Sequence, residues 1–111
     1  MIIALGEVFV QIPHRDRVRK LMRATQAAVS QEPGCISYVF AETVDDPGHF
    51  VIVQQWRDQE VLDRHFRSQA FADYQAQIGP SLVRLSELGV HAVQESYQLS
   101  ASGSIEPAQI D

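Results

Sequence analysis

Two stretches of this chain are apolar at consecutive positions where a half-wet strand would be apolar only at alternate ones. Ile2–Ile12 carries Ile3, Leu5 and Phe9 on one side of an extended strand and Ile2, Ala4, Val8 and Val10 on the other. His49–Arg57 carries Phe50, Ile52 and Trp56 against Val51 and Val53. Successive strand residues point to opposite faces, and an antiparallel sheet with one solvated face alternates apolar and polar. Both faces of this sheet therefore need cover. A chain of 111 residues suits one domain, and one layer of helices shields only one face. A lone subunit would expose a contiguous apolar patch, which soluble monomers rarely do. The expectation is a homodimer whose sheets pack face to face across a two-fold axis.

The remaining segments fit that plan. Val18, Leu21, Met22, Thr25 and Val29 recur at helical spacing within Arg15–Gln31, and Pro33-Gly34 ends that helix. Arg15, Arg17, Arg19, Lys20 and Arg23 read as its solvated face. Cys35–Val44 is a second strand, joined to His49–Arg57 by the turn Asp45-Asp46-Pro47-Gly48. Asp58 caps a short helix running to about Phe66, and Ser68 caps another with Phe71, Tyr74 and Ile78 on one face. Ser81–Leu88 reads as a further helical turn, Val90–Leu99 as a fourth strand, and Ser100–Asp111 as a tail, free or draped over a partner. Residues 1–99 thus form one α+β domain. Its order is ferredoxin-like βαββαβ, with the helices on one face of an antiparallel sheet.

A four-residue turn would pair Val44 with His49 and Phe40 with Val53, and cross-strand partners share a face. One face would then hold Tyr38, Phe40, Val51, Val53 and Gln55 and suit the sheet–sheet interface. The other would hold Ser37, Val39, Ala41, Phe50, Ile52, Gln54 and Trp56, with room for a pocket under the helices. A slip of one residue would reverse the assignment.

A net charge of −5 speaks against nucleic acid or an anionic membrane as partner, and no stretch approaches a membrane span. Cys35 is the lone cysteine, so no internal disulfide forms, and it reads as a small core residue in a reducing cytoplasm. Met1–Val10 lacks a basic leader and carries Glu7, so it reads as a strand and not as a signal peptide. His14, His49 and His91 have no metal-ligand spacing. No Gly-rich nucleotide loop, nucleophile elbow or zinc motif occurs.

The sharpest single residue is His65, placed by Val61 and Leu62 on the inward face of its helix, toward the strand carrying Trp56. It is either a buried neutral imidazole bonded to a carbonyl, or a base or donor at a pocket. Glu7 is a carboxylate in an apolar strand, sharing a face with Ile3, Leu5 and Phe9. If that face holds the pocket, Glu7 approaches His65 and burial could make it a base; otherwise it is a rim carboxylate paired with an arginine. Trp56 and Tyr74 are core residues that also suit a flat aromatic ligand, and Gln54 could orient a ligand oxygen.

The stretch from Glu32 to Tyr74 resembles the antibiotic biosynthesis monooxygenase family, within the dimeric α/β-barrel superfamily. The likeness is carried by Glu32-Pro-Gly-Cys-x-x-Tyr, the Asp-Pro-x-x-Phe turn, Trp56, and His65-x-x-Ser68-x-x-Phe71. The resemblance implies a dimeric barrel. It also implies an activity, since enzymes of the family include oxygenases that use neither flavin nor metal on quinols and polyketide phenols, with dioxygen as co-substrate. On this chain it implies His65 as base with Glu7 in reserve, Trp56 and Tyr74 clamping the ring, Gln54 holding an oxygen, and Ile52 and Phe71 as further substrate contacts. The family commonly has a carboxylate where Gln54 stands, and haem-degrading relatives have Asn near Glu7, which argues against haem. Two other readings remain open: an isomerase of small carbonyl compounds on the same barrel, and a non-catalytic ligand-binding or stress-response dimer.

Overall fold

The computed structural model describes residues 1–84 and 87–108. Strands β1 (Ile2–Phe9), β2 (Cys35–Glu42), β3 (His49–Trp56) and β4 (Glu87–Ala92) form one antiparallel sheet in the order β2-β3-β1-β4. Helices α1 (Arg15–Val29), α2 (Gln59–Phe66) and α3 (Gln69–Ile78) belong to the core on one side of it. This is the expected ferredoxin-like α+β fold. Both expected helix caps form: Asp58 accepts from the Val61 amide and Ser68 from the Phe71 amide, which satisfies amides that a helix start leaves without partners.

Ile2, Ala4, Val8 and Val10 face the helices and are nearly fully buried, beside Phe50, Ile52 and Trp56 of β3. Ile3, Leu5, Glu7 and Phe9 occupy the other face. The registers place Leu5 opposite Val53 and Val53 opposite Val39, so an apolar row crosses three strands of that face. Leu5 remains 46% exposed and Val39 42%.

The hairpin register differs from the sequence reading by one residue. Thr43 donates its amide to the His49 carbonyl, so the connection has five residues, Val44 to Gly48, not the four from Asp45 to Gly48. Gly48 adopts φ +82°, open to a residue without a Cβ, and the Thr43 hydroxyl donates to the Asp46 carbonyl across the loop. The consequence is confined to β2. Phe40 pairs with Ile52 and Tyr38 with Gln54, so Tyr38 and Phe40 join the helix side, while Val39 moves to the open face.

The C-terminal part also departs from the expected single strand Val90–Leu99. It is divided into β4 and β5 (Ser96–Leu99), and β5 pairs with β6 (Ile105–Ala108) in a separate two-stranded ribbon. Part of the segment read as a tail is therefore a strand; residues 109–111 lie outside the described residues. In place of a helical turn over Ser81–Leu88, a short 3-10 turn spans Gly79–Ser81, Leu82 bridges to Val10, and Leu88 lies in β4; residues 85–86 are outside the description.

Two clasps fix α1 to the rest. Glu42 at the end of β2 accepts from Arg15 at 2.6 and 3.0 Å, from Arg19, and from the Gly48 amide at 3.1 Å. The Arg15 guanidinium beside it holds the Glu42 carboxyl down at about 2. Arg17 bonds the Gln77 carbonyl and the Ser81 hydroxyl. Three of the arginines read as solvated are thus engaged.

Candidate functional site

A cavity of about 510 Å³ opens between the helix side of the sheet and α3. Val8, Ile52 and Gln54 form its sheet wall, Phe71, Tyr74 and Ile78 its helix wall, with Tyr38 and Phe66 toward α2 and Leu88 and Val90 toward β4. Period-2 alternation puts Ile52 and Gln54 on one face of β3. Helical spacing puts Phe71, Tyr74 and Ile78 on one face of α3. Burial holds the hydroxyls of Tyr74 and Tyr38 well above the usual phenol range, so both stay protonated at neutral pH. The Tyr74 hydroxyl is buried without a hydrogen-bond partner.

Gln54 is 2% exposed. Its side-chain oxygen accepts from Trp56 Nε1 at 3.0 Å. Trp56 itself is fully buried and is not a lining residue: it belongs to the cluster of Ile2, Val29, Val61 and Leu62. Its effect on the cavity is exerted through Gln54, whose amide it orients.

His65 is 1% exposed and also stands behind the lining. The rings of Tyr38, Phe66 and Phe71, which do line the cavity, pack on its imidazole at centroid distances of 5.6, 5.6 and 5.3 Å, and Trp56 lies at 4.9 Å on another side. Nδ1 bonds Glu32 Oε2 at 2.8 Å, while Nε2 is buried without a partner. With a carboxylate accepting at Nδ1, the neutral ring has its proton there and its lone pair at Nε2. Neither partner anticipated for His65, a backbone carbonyl or Glu7, is the one found. Glu32 appears in the sequence only as the first residue of the Glu-Pro-Gly-Cys stretch. Its position just past α1, where the chain turns under α2, carries it to a histidine 33 residues away.

Glu7 does not join the cavity. It lies on the open face, its side chain 59% exposed, and the partner it meets is not an arginine but His49, whose Nε2 is 3.1 Å away. His49 in turn stacks on Phe9, whose ring also carries the Arg84 guanidinium at 3.6 Å from its centre. Burial pushes the Cys35 thiol up, away from nucleophilic use. Among the described residues no cluster of His, Cys, Asp and Glu could hold a metal, and no helix is long and apolar enough to cross a membrane.

A family model described as antibiotic biosynthesis monooxygenase matches residues 1–77. The Synechocystis protein sll1783 is 26% identical over 98 residues, 88% of this chain and 67% of its own length. The Mycobacterium tuberculosis protein Rv0793 is 34% identical over 70 residues, 63% of this chain and 68% of its own. The solved structure of Rv0793 matches with a TM-score of 0.78 over 86% of this chain and 96% of that one, at 27% identity. A crystal structure described as an antibiotic biosynthesis monooxygenase matches with a TM-score of 0.79 over 85% and 99%, at 26% identity.

Proposed function

Since this chain belongs to the antibiotic biosynthesis monooxygenase family, we propose that it is a cofactor-independent monooxygenase of an aromatic phenol or quinol, acting as a homodimer in the cytoplasm. The observation that carries the reading is the cavity: about 510 Å³, walled by aromatic and aliphatic side chains, with a few buried polar groups to orient a guest. Its volume suits a flat molecule of two or three rings. No lysine or arginine lines it among the described residues, which speaks against a phosphorylated carbonyl compound and hence against the isomerase reading.

In the proposed reaction a base removes the phenol proton and the phenolate passes electrons to dioxygen. One oxygen atom replaces a ring hydrogen and ends as a quinone carbonyl; the other leaves as water. The ring loses two hydrogens and gains one oxygen, so the four electrons given up equal the four that dioxygen takes. His65 is the proposed base: the Glu32 carboxylate orients its ring, and because Tyr38, Phe66 and Phe71 stand between it and the cavity, one of these rings must turn aside for a phenol to reach Nε2. The aromatic wall excludes water and leaves fixed dipoles as the only solvent of the anion. Glu7, across the sheet, has no part in this chemistry. The row Leu5–Val53–Val39 supplies the dimer contact.

A dioxygen electrode tests the reading with a panel of naphthols and naphthoquinols. Uptake above the uncatalysed rate is expected for at least one, without added flavin or metal. His65→Gln, verified as folded by circular dichroism, should lower it by about 100-fold or more. Uptake unchanged in that variant would remove His65 from the mechanism. No uptake across the panel would favour a non-catalytic binding dimer.

A further inference from the structure

We infer that Gln54 and Tyr74 form a two-sided donor seat that selects ligands by an accepting oxygen, a carbonyl or a deprotonated phenol, at one end of an otherwise apolar ring system. It rests on the reading of the cavity as the substrate site, and it adds which atoms of the guest are recognised and which residues set the preference.

The argument begins with tryptophan's single polar hydrogen. Indole Nε1 can only donate, so its 3.0 Å bond to Gln54 must end on the amide oxygen. That settles the amide orientation, which is otherwise ambiguous. The amide nitrogen is then turned away from Trp56, and among the described residues it has no acceptor. An NH₂ group on a cavity wall carries donor hydrogens that a guest displacing water must either pair with or leave unpaired, the latter unfavourable by about 1–3 kcal/mol. The second donor belongs to the helix layer. Tyr74 is 7% exposed, lines the same cavity, and its hydroxyl is buried without a partner. One group is on β3 and the other on α3, so a guest between sheet and helix has a donor on each wall, the sealed Tyr74 hydroxyl being reached by a small turn of its ring.

The chemical class follows from what is absent as well. No cation lines the cavity among the described residues, and Glu87 stands on its β4 side, so a guest bearing a carboxylate or phosphate would meet repulsion. A neutral ring with one accepting oxygen is satisfied completely. A carboxylate at position 54 would accept the Trp56 hydrogen equally well but would offer no donor to the guest. Glutamine in place of that carboxylate therefore converts one pole of the cavity from acceptor to donor.

The test uses two unreactive ligands of nearly equal shape, 2-acetylnaphthalene and 2-isopropenylnaphthalene, with dissociation constants from titration calorimetry of the full chain. Tyr74→Phe should weaken the ketone about fivefold and leave the hydrocarbon within about twofold, the effect of one neutral hydrogen bond. Gln54→Glu should weaken the ketone about tenfold or more, again with the hydrocarbon spared. Equal shifts for both ligands, or no shift for the ketone in either variant, would overturn the seat. The outcome is independent of turnover: selective ketone loss without any dioxygen uptake would leave the seat standing and the monooxygenase reading refuted, and uptake with no ketone selectivity would do the reverse.

Discussion

Leu5→Asp places a carboxylate at the middle of the apolar row on the open sheet face. Leu5 is 46% exposed in the single subunit, on the order of 80 Å² of apolar surface, so covering it would contribute about 2 kcal/mol per protomer. A two-fold axis uses the residue twice, which makes about 4 kcal/mol before any cost of burying charge, or about a thousandfold in dissociation constant. The fold of the subunit should survive, because Leu5 faces away from the helices and Ile2, Ala4 and Val8 carry the core contacts of β1. Sedimentation equilibrium over a concentration series is the assay, with circular dichroism to confirm secondary structure. The wild type should sediment as a dimer at micromolar concentration and the variant as a folded monomer. A variant with unchanged dimer affinity would show that this face is not the interface, and a monomeric wild type would refute the argument from two apolar faces.

Four further perturbations probe the scaffold. Glu42 is held at about 2 by its arginines, below the ordinary value of 4.5, so its contribution is complete above pH 4.5 and disappears as pH falls toward 2. The shift would be worth about 3 kcal/mol at most and about 1–2 after screening by solvent; urea melts of wild type and Glu42→Gln between pH 6 and 3 should converge on the acid side. Gly34→Ala should destabilise by roughly 2–4 kcal/mol, because φ is +82° and the new Cβ would sit 2.6 Å from Val61. Gly103→Ala, at φ +90° with open space around it, should lose only about 1 kcal/mol in the same melts. Asp58→Ala should lower the urea midpoint by removing the bond to the Val61 amide that starts α2.

Much of the scaffold could be read from local chemistry. Asp58 and Ser68 announce helix starts because a short side-chain oxygen satisfies amides in the next turn, and Pro33-Gly34 announces a stop. The inward aim of His65 follows from its spacing to Val61 and Leu62. The hairpin register did not follow, since a five-residue loop and a four-residue turn differ only in whether Thr43 pairs with His49, a matter of two hydrogen bonds and the Gly48 backbone. Glu7 was ambiguous for a related reason. Alternation groups it correctly with Ile3, Leu5 and Phe9, but with both faces apolar it does not say which one meets the helices. The Glu32–His65 pair spans 33 residues of sequence and depends on how α1 ends against α2. The strand break between Ala92 and Ser96 left no mark either, because the segment is polar and its ribbon pairs with residues that look like a tail.

The proposed chemistry is decided by where each oxygen atom goes. Turnover of an accepted phenol under ¹⁸O₂, followed by mass spectrometry of the product, should find one labelled atom in the new carbonyl and the second in water, with no label entering the product from H₂¹⁸O when unlabelled dioxygen is used. A product oxygen drawn from water, or both dioxygen atoms found in the product, would contradict a monooxygenase working in this cavity.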